Sequence, residues 1–158
     1  MKCLIISDTH GYKNYLRRVL EKESDIKNVI YLGDGINDLF VIRSEYPDIN
    51  IVAAVAGNCD VNRGLSTQEI LTIEGHRILV CHGDGYYVKM GLLPLRKRCL
   101  SMGVEIALYG HTHRQYYEYN SGMYMFNPGS IMPSSNPFSC YGVMELTEDR
   151  VRFYHREA

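Results

Sequence analysis

Apolar runs alternate with amphipathic stretches along the early part of the chain. Continuous apolar runs occupy residues 2–7, 28–32 and 49–56, and runs of this length are typical of buried strands. Between them, residues 12–22 and 36–46 carry apolar side chains at helical spacing. This strand–helix–strand–helix–strand order predicts parallel strands in a sheet that is buried on both faces.

The middle of the chain shows a different pattern. Residues 69–73 and 77–81 flank Glu74-Gly75-His76, a combination that predicts a β-hairpin. Residues 91–102 predict a helix, with Pro94 in its first turn, where proline is tolerated.

The last third of the chain is predicted to be mostly β-structure. The predicted strands cover residues 104–109, 115–120, 123–126, 141–146 and 150–155. Ser121-Gly122 predicts a turn between the second and third of these. We expect one domain, residues 1–158, that contains two sheets with flanking helices.

Composition narrows the classes of protein to consider. The chain has 158 residues, of which 46% are hydrophobic and 22% charged, so we expect a folded globular domain rather than a disordered one. No apolar run reaches the roughly 20 residues of a membrane span, and the N-terminal run is too short for a secretory signal. The formal net charge is −1, so neither a nucleic acid nor a membrane is an expected partner.

The cysteines indicate a reducing compartment. There are five of them, an odd number with no CxxC pair, which argues against a disulfide framework and a zinc ribbon. Cys3, Cys81 and Cys99 lie among apolar neighbours and are predicted to be core residues. With no export signal, we expect a cytoplasmic protein.

Five of the predicted strands end in side chains that can bind a metal ion. Glycine stands beside four of these strand ends, where it lets the backbone approach closely or take a positive φ. Since the carboxyl ends of strands in open α/β sheets converge on the ligand crevice, we expect these side chains to lie together. The candidate ligands are Asp8, His10, Asp34, Asn58, His82, His111 and His113.

This set of ligands suits two metal ions that share one carboxylate. Imidazole and carboxylate groups bind manganese, iron, nickel or zinc. Two ions about 3.5–4 Å apart can clamp the attacking and leaving oxygens of a phosphoryl transfer. The charge of two dications exceeds that of the two aspartates, which suits an anionic phosphate ester.

The order of these blocks resembles that of the calcineurin-like metallophosphoesterase family. The family blocks DxH, GD, GN(H/C), an isolated histidine and GHxH stand here as Asp8-Thr9-His10, Gly33-Asp34, Gly57-Asn58-Cys59, His82 and Gly110-His111-Thr112-His113. The chain is similar to the small bacterial and archaeal phosphodiesterases, which share a GNCD block and an NPGS block, here residues 127–130. The resemblance implies an α/β (α+β) fold, a β-sandwich of two mixed sheets flanked by helices in four layers.

The resemblance also implies a ligand set and a reaction. The first ion would be held by Asp8, His10, Asp34 and His113, and the second by Asp34, Asn58, His82 and His111, with Asp34 as the bridge. The implied reaction is direct attack of a metal-bridging hydroxide on phosphorus. Manganese is the first expectation, and nickel, iron or zinc would fit the same ligands. The residues expected to carry catalysis are Asn58, Cys59, His82 and His111.

Two departures from the family pattern bear on the substrate. Many members have a histidine, assigned as proton donor to the leaving group, where this chain has Cys59. A thiol, with an unperturbed pKa of about 8.5, is less well matched as an acid than histidine at about 6.5. The GDxxDRG block of the phosphoprotein phosphatases is also missing, because no arginine follows Asn37 and Asp38.

Three functions remain open at this point. The first is a phosphodiesterase acting on a small-molecule phosphate ester. The second is a phosphomonoesterase or nucleotide phosphohydrolase that uses the same site. The third is a non-catalytic metal-binding scaffold, since the family includes a coat-complex subunit that acts by binding partners.

Other polar and aromatic residues have structural interpretations. We expect Tyr116, Tyr117, Tyr119 and Tyr124 to pack across strands, with a homo-oligomer interface (dimer or tetramer) as the alternative. Asp60 and Asp84 are interpreted either as partners that orient histidines or as turn residues. No role is assigned to His76, in the predicted hairpin, or to His155, on an exposed terminal strand. Ser130 and its block are expected to form a turn that lines the site, without chemistry of their own. Arg96-Lys97-Arg98 is interpreted as a solvated helix face.

Overall fold

In the part of the chain that the structure describes, the protein folds into two five-stranded sheets and three α-helices. The computed structural model describes residues 1–61, 64–133 and 138–158. The helices are α1 (Lys13–Lys22), α2 (Ile36–Glu45) and α3 (Leu93–Ser101). The strands are β1 (Lys2–Ile6), β2 (Asn28–Tyr31), β3 (Asn50–Ala54), β4 (Gln68–Ile73), β5 (His76–Cys81), β6 (Ile106–Leu108), β7 (Gln115–Asn120), β8 (Met123–Pro128), β9 (Cys140–Thr147) and β10 (Arg150–Glu157).

Both sheets are mixed, as predicted. The first has the strand order β10-β9-β1-β2-β3, in which β1, β2 and β3 are parallel and β9 runs antiparallel to both β1 and β10. The second has the order β4-β5-β6-β8-β7, in which β5, β6 and β8 are parallel. Antiparallel hairpins, β4–β5 and β7–β8, form its two edges.

The alternation of side chains along the strands explains the four layers. In β1, Cys3 and Ile5 face the core between the two sheets, where they join Val80 and Leu108 of the second sheet. The intervening residues of β1 join the core beneath α1 and α2. A third core packs α3 against the outer face of the second sheet. The layers are therefore helices, sheet, sheet and helix, which confirms the predicted architecture.

The two predicted hairpins form with two-residue turns. Glu74-Gly75 and Ser121-Gly122 all have positive φ, the conformation that joins antiparallel strands most tightly. His76 is the first residue of β5 rather than part of the turn, which corrects the predicted hairpin boundary. Its imidazole lies 3.1 Å from Glu105 and 2.9 Å from the Thr147 carbonyl.

Several predicted elements begin or end one or two residues away from the observed ones. Most of the predicted buried strands are shorter in the structure because the chain leaves extended geometry before the site residues. A 3₁₀ turn, Asp84–Tyr86, was not predicted. Each helix in the described part of the chain is too short or too polar to cross a membrane.

The predicted cysteine and tyrosine environments are largely confirmed. Cys3, Cys81 and Cys99 are buried free thiols. Tyr119 and Tyr124 are partners across β7 and β8, with ring centroids 4.4 Å apart. His155, expected on an exposed strand, is half-buried instead.

Candidate metal centre

The predicted metal-binding side chains lie on loops that follow five parallel strands of the two sheets. Backbone hydrogen bonds tie these loops together, from Asp8 N to the Gly33 carbonyl (2.9 Å) and from His10 N to the Asp34 carbonyl (3.1 Å). Across the second sheet, Gly110 N donates to the His82 carbonyl at 2.9 Å. The strand ends therefore converge on one edge of the sandwich, as the sequence predicts.

The backbone at this edge is strained in an unusual way. Left-handed φ is uncommon for residues other than glycine, and clusters of such residues occur at functional sites. Five of the seven candidate ligands have it, namely Asp8 (φ 54), His10 (φ 44), Asp34 (φ 59), His111 (φ 66) and His113 (φ 57). This conformation turns side chains from successive strand ends toward one point.

The donor atoms form two clusters. In the first, Asp8 Oδ1 lies 3.1 Å from His113 Nε2 and 3.8 Å from His10 Nε2. In the second, His82 Nε2 lies 3.3 Å from Asp34 Oδ2 and 3.2 Å from His111 Nδ1. Within each cluster the donor atoms lie within 4.8 Å of one another, so a single cation could contact all three side chains.

Asp34 connects the two clusters. Its Oδ2 lies 3.6 Å from His10 Nε2 as well as 3.3 Å from His82 Nε2. His82 Nε2 is in turn 4.0 Å from Asp8 Oδ1. These spacings fit a carboxylate shared between two adjacent ions.

Unpaired buried atoms support a cation at this position. Asp8 Oδ1 and His10 Nε2 are both buried, and among the residues that the structure describes neither atom has a hydrogen-bond partner. Such orphaned atoms are rare in folded proteins and call for a ligand or ion. His82 Nδ1 donates to the Leu32 carbonyl at 2.7 Å, so the neutral form of the ring, which is the form that binds a cation, carries its lone pair on Nε2 at the site.

Electrostatics in the site follow from burial and close contacts. Burial opposes ionisation of Asp34, but the hydrogen bond and charge of His82 outweigh it and hold the pKa of Asp34 well below its usual range. Burial and the charge of His82 lower the pKa of His111, and the charge of Lys89 adds to this effect. Asp34 is therefore ionised and His111 neutral at neutral pH, the forms that bind cations.

Two glycines let the loops approach each other. A Cβ added to Gly57 would lie 2.1 Å from Asp34 Oδ1, and one added to Gly110 would lie 1.9 Å from Ser7 Oγ. Both distances are far below van der Waals contact. A larger residue at either position would displace the loops that carry the candidate ligands.

Asn58 and Cys59 lie on the loop after β3 and are both exposed. The Asn58 amide donates to Cys59 Sγ at 3.3 Å, and the Cys59 N–H donates to Asp34 Oδ1 at 2.8 Å. Cys59 Sγ also comes within 4.8 Å of donor atoms of His10 and Asp34. Partial burial and the neighbouring Asp34 carboxylate raise the pKa of the Cys59 thiol.

Asp60 positions the loops after β2 and β3, so of the two predicted roles it does not have that of orienting a histidine. Its Oδ2 accepts the N–H groups of Asp34 (2.8 Å) and Gly57 (2.9 Å). Its Oδ1 accepts those of Gly35 (2.8 Å) and Ile36 (2.9 Å), at the start of α2. One carboxylate thus joins the loop after β3 to the loop after β2.

Asp38 is a supporting residue that sequence reasoning missed. It is buried in the first turn of α2, and its Oδ2 accepts hydrogen bonds from Thr9 Oγ1 (2.6 Å) and Gly11 N (2.7 Å). It therefore fixes the loop that carries Asp8 and His10. A buried aspartate in the first turn of a helix was the available signal.

The predicted NPGS block braces two site loops. Asn127 Nδ2 donates to the Gly110 carbonyl at 2.8 Å and to Thr112 Oγ1 at 3.1 Å. Ser130 Oγ donates to the Asp8 carbonyl at 2.9 Å. The half-buried His155 hydrogen-bonds through Nε2 to the Asn127 carbonyl at 2.7 Å.

Comparison of the chain with models of protein families identifies the family to which it belongs. The model of the calcineurin-like phosphoesterase superfamily domain matches residues 1–149 of the chain. The protein belongs to this family. As a calcineurin-like phosphoesterase it is a metallophosphoesterase, a class of hydrolase that uses divalent metal ions.

Relatives and solved structures agree with this assignment. The chain is 32% identical over 158 residues to the probable metallophosphoesterase YsnB of Bacillus subtilis, covering 98% of this chain and 90% of the relative. It is 25% identical over 168 residues to a phosphodiesterase of Methanocaldococcus jannaschii, covering 96% and 97% respectively. Vps29 of Entamoeba histolytica complexed with Zn²⁺ has the same fold, with a TM-score of 0.79 at 22% identity, covering 98% of this chain and 91% of that one.

Proposed function

We propose that this metallophosphoesterase is a two-metal phosphodiesterase. The carrying observation is the pair of donor clusters that meet at Asp34, of which the first contains two buried atoms that no hydrogen bond satisfies within the described residues. In this proposal the first ion is held by Asp8, His10, Asp34 and His113. The second is held by Asp34, Asn58, His82 and His111.

The residues around the proposed ions have distinct tasks. Bound divalent ions would supply a hydroxide nucleophile at neutral pH and neutralise charge on the phosphoryl oxygens. The Asp34 carboxylate, whose Oδ2 lies 3.6 Å from His10 Nε2 and 3.3 Å from His82 Nε2, would contribute to holding both ions. The Leu32 carbonyl holds His82 in the tautomer that presents Nε2. The backbone N–H of His111 donates to Asp8 Oδ2 at 3.1 Å, which links the two clusters mechanically.

The proposed substrate is a small-molecule phosphate diester. The phosphodiesterase among the relatives supports this choice, as does Cys59. The raised pKa of the Cys59 thiol keeps this group protonated but makes it a weak acid. Esters whose leaving groups need little protonation are therefore the favoured substrates. Manganese is the first candidate metal, and nickel, iron and zinc accept the same ligands. We place the protein in the cytoplasm, where its five free thiols would stay reduced.

A side-by-side assay tests the proposal. Metal-stripped protein, with manganese, nickel, zinc or magnesium added back, would be given bis(p-nitrophenyl) phosphate and p-nitrophenyl phosphate. We expect metal-dependent cleavage of the diester, lost in His111→Ala. His76→Ala is the matched control, because His76 lies outside the clusters, and it should retain activity.

Other results would select the alternatives. Faster cleavage of the monoester would identify a phosphomonoesterase. Failure to cleave either ester, with two metal ions bound, would favour a scaffold that binds a partner.

A further inference from the structure

A groove runs beside the two donor clusters. It encloses a cavity of about 540 Å³, within the usual range of roughly 300–1,000 Å³ for small-molecule sites. Its walls come from the segment after the 3₁₀ turn and from the start of β7. The residues that matter for its chemistry are Val88, Lys89, Leu92, Thr112, Arg114 and Tyr116.

Thr112 connects the groove to the candidate metal centre. It stands between His111 and His113, so the groove wall and both clusters share one loop. Thr112 Oγ1 accepts hydrogen bonds from Asn127 Nδ2 (3.1 Å) and from the Arg114 N–H (3.2 Å). The position of the groove relative to the two histidines is therefore fixed.

Two cationic side chains on the groove lack an acidic partner. Over residues 1–61, 64–133 and 138–158, neither Lys89 nor Arg114 forms an ion pair. The nearby Arg96 differs, because its guanidinium is 2.7 Å from Glu118 Oε2. Lys89 and Arg114 thus leave uncompensated positive charge beside the proposed metal ions.

The rest of the groove is suited to a flat group. The Tyr116 hydroxyl donates to Glu118 Oε2 at 2.8 Å, which anchors the ring at the groove wall. Val88 and Leu92 supply apolar surface. A groove lined by an aromatic ring and apolar side chains favours a planar ring, for which stacking on one face replaces contact with water.

We propose that this groove binds the arm of the phosphodiester that lies away from the reacting phosphate, and that this arm carries a planar ring and a second anionic group. The inference rests on the proposed function. The proposed metal ions would bind the reacting phosphate, so Lys89 and Arg114 remain available to bind another anion. Nucleotides that bear a second phosphate belong to this class of substrate.

A matched pair of substrates isolates the second anion. Thymidine 5′-(p-nitrophenyl phosphate) and its 3′-phosphorylated form share the reacting ester and the leaving group and differ by one phosphate. For the manganese-loaded protein we expect a KM about tenfold lower for the 3′-phosphorylated substrate, as one charge-assisted contact provides. In the double variant Lys89→Gln, Arg114→Gln this KM ratio should fall close to one.

Lys97→Gln is the control for a general effect of charge. Lys97 is exposed on α3 and does not line the groove, so this variant should keep the wild-type ratio. Equal KM values for the two substrates in the wild type would overturn the inference. So would a ratio that persists in the double variant.

A binding measurement separates this inference from the proposed function. Isothermal titration with thymidine 3′,5′-bisphosphate and thymidine 5′-phosphate should show the same preference for the second phosphate without any hydrolysis. A protein that binds with this preference but cleaves nothing would refute the proposed function and leave the groove assignment standing. Equal affinities would refute the groove assignment itself.

Discussion

Asp60 provides a demanding test of how the site is held together. Its carboxylate accepts four backbone N–H groups from two loops, with distances between 2.8 and 2.9 Å. Asparagine has the same shape but only one acceptor oxygen. Asp60→Asn would therefore leave two of the four N–H groups facing an amide NH₂ that cannot accept their hydrogen bonds.

The size of the effect follows from the number of bonds lost. A hydrogen bond to a charged group is worth about 1.5–3 kcal/mol, and the partial burial of these contacts favours the lower end of the range. Loss of two gives a destabilisation of about 3 kcal/mol. Total stability is typically about 5–15 kcal/mol, so the variant should still fold.

Urea unfolding followed by circular dichroism measures this change. We propose that the 158 residues form one domain, so both proteins should unfold in a single transition. Asp149→Asn, in the exposed turn between β9 and β10, is the matched control and should change stability little. Manganese affinity should also fall, by about tenfold, because the Asp34 and Gly57 loops lose their common anchor.

Unfolding of Asp60→Asn at the same urea concentration as the wild type would show that the Asp60 carboxylate does not stabilise the two loops. Destabilisation without loss of manganese affinity would limit Asp60 to a role in folding. Asp60→Ala removes all four acceptor contacts and should therefore be less stable than Asp60→Asn.

Three further predictions test other parts of the structure. Gly110→Ala should destabilise the protein by about 3 kcal/mol or more, because the added Cβ would clash with Ser7 Oγ. Gly85→Ala is the control and should not destabilise the protein, because a Cβ there meets open space. Equal urea midpoints for the two variants would refute the predicted clash. Burial lowers the pKa of His155, so its stabilising contribution is present above the unfolded pKa of about 6.5 and is lost as pH falls. The stability difference between wild type and His155→Gln should therefore shrink from about pH 8 to about pH 5, and a constant difference would contradict the assignment. Cys59→His should raise kcat roughly tenfold on an ester with a poor leaving group, because the pKa of histidine suits an acid catalyst at neutral pH better than that of a thiol. No gain in the measured rate would count against a proton-donor role for this position.

The convergence of the candidate metal-binding residues could be predicted because the topology requires it. Parallel strands place their carboxyl ends at one edge, so candidate ligands such as Asp8 and Asp34, which follow consecutive parallel strands, had to become neighbours. The order of the blocks along the chain then sufficed to identify the family. The alternation within β1 likewise fixed which side chains face each layer.

The supporting contacts could not be predicted from local patterns. Asp60 and Asp38 accept N–H groups from loops whose meeting depends on the assembled sheet. The pairing of β9 with β1 joins segments from opposite ends of the chain, and no periodicity encodes it. His155 was assigned to an exposed terminal strand, because the alternation along that strand gave no sign that Asn127 and Phe126 would contact this side chain.

The most direct test of the two-metal proposal is hydrolysis of bis(p-nitrophenyl) phosphate measured as manganese is added to metal-stripped protein. We expect the rate to keep rising until two ions are bound per chain, and His10→Ala, which removes a proposed ligand of the first ion, should not reach the wild-type rate. A rate that is complete with one bound ion, or two bound ions with no hydrolysis, would contradict the proposal.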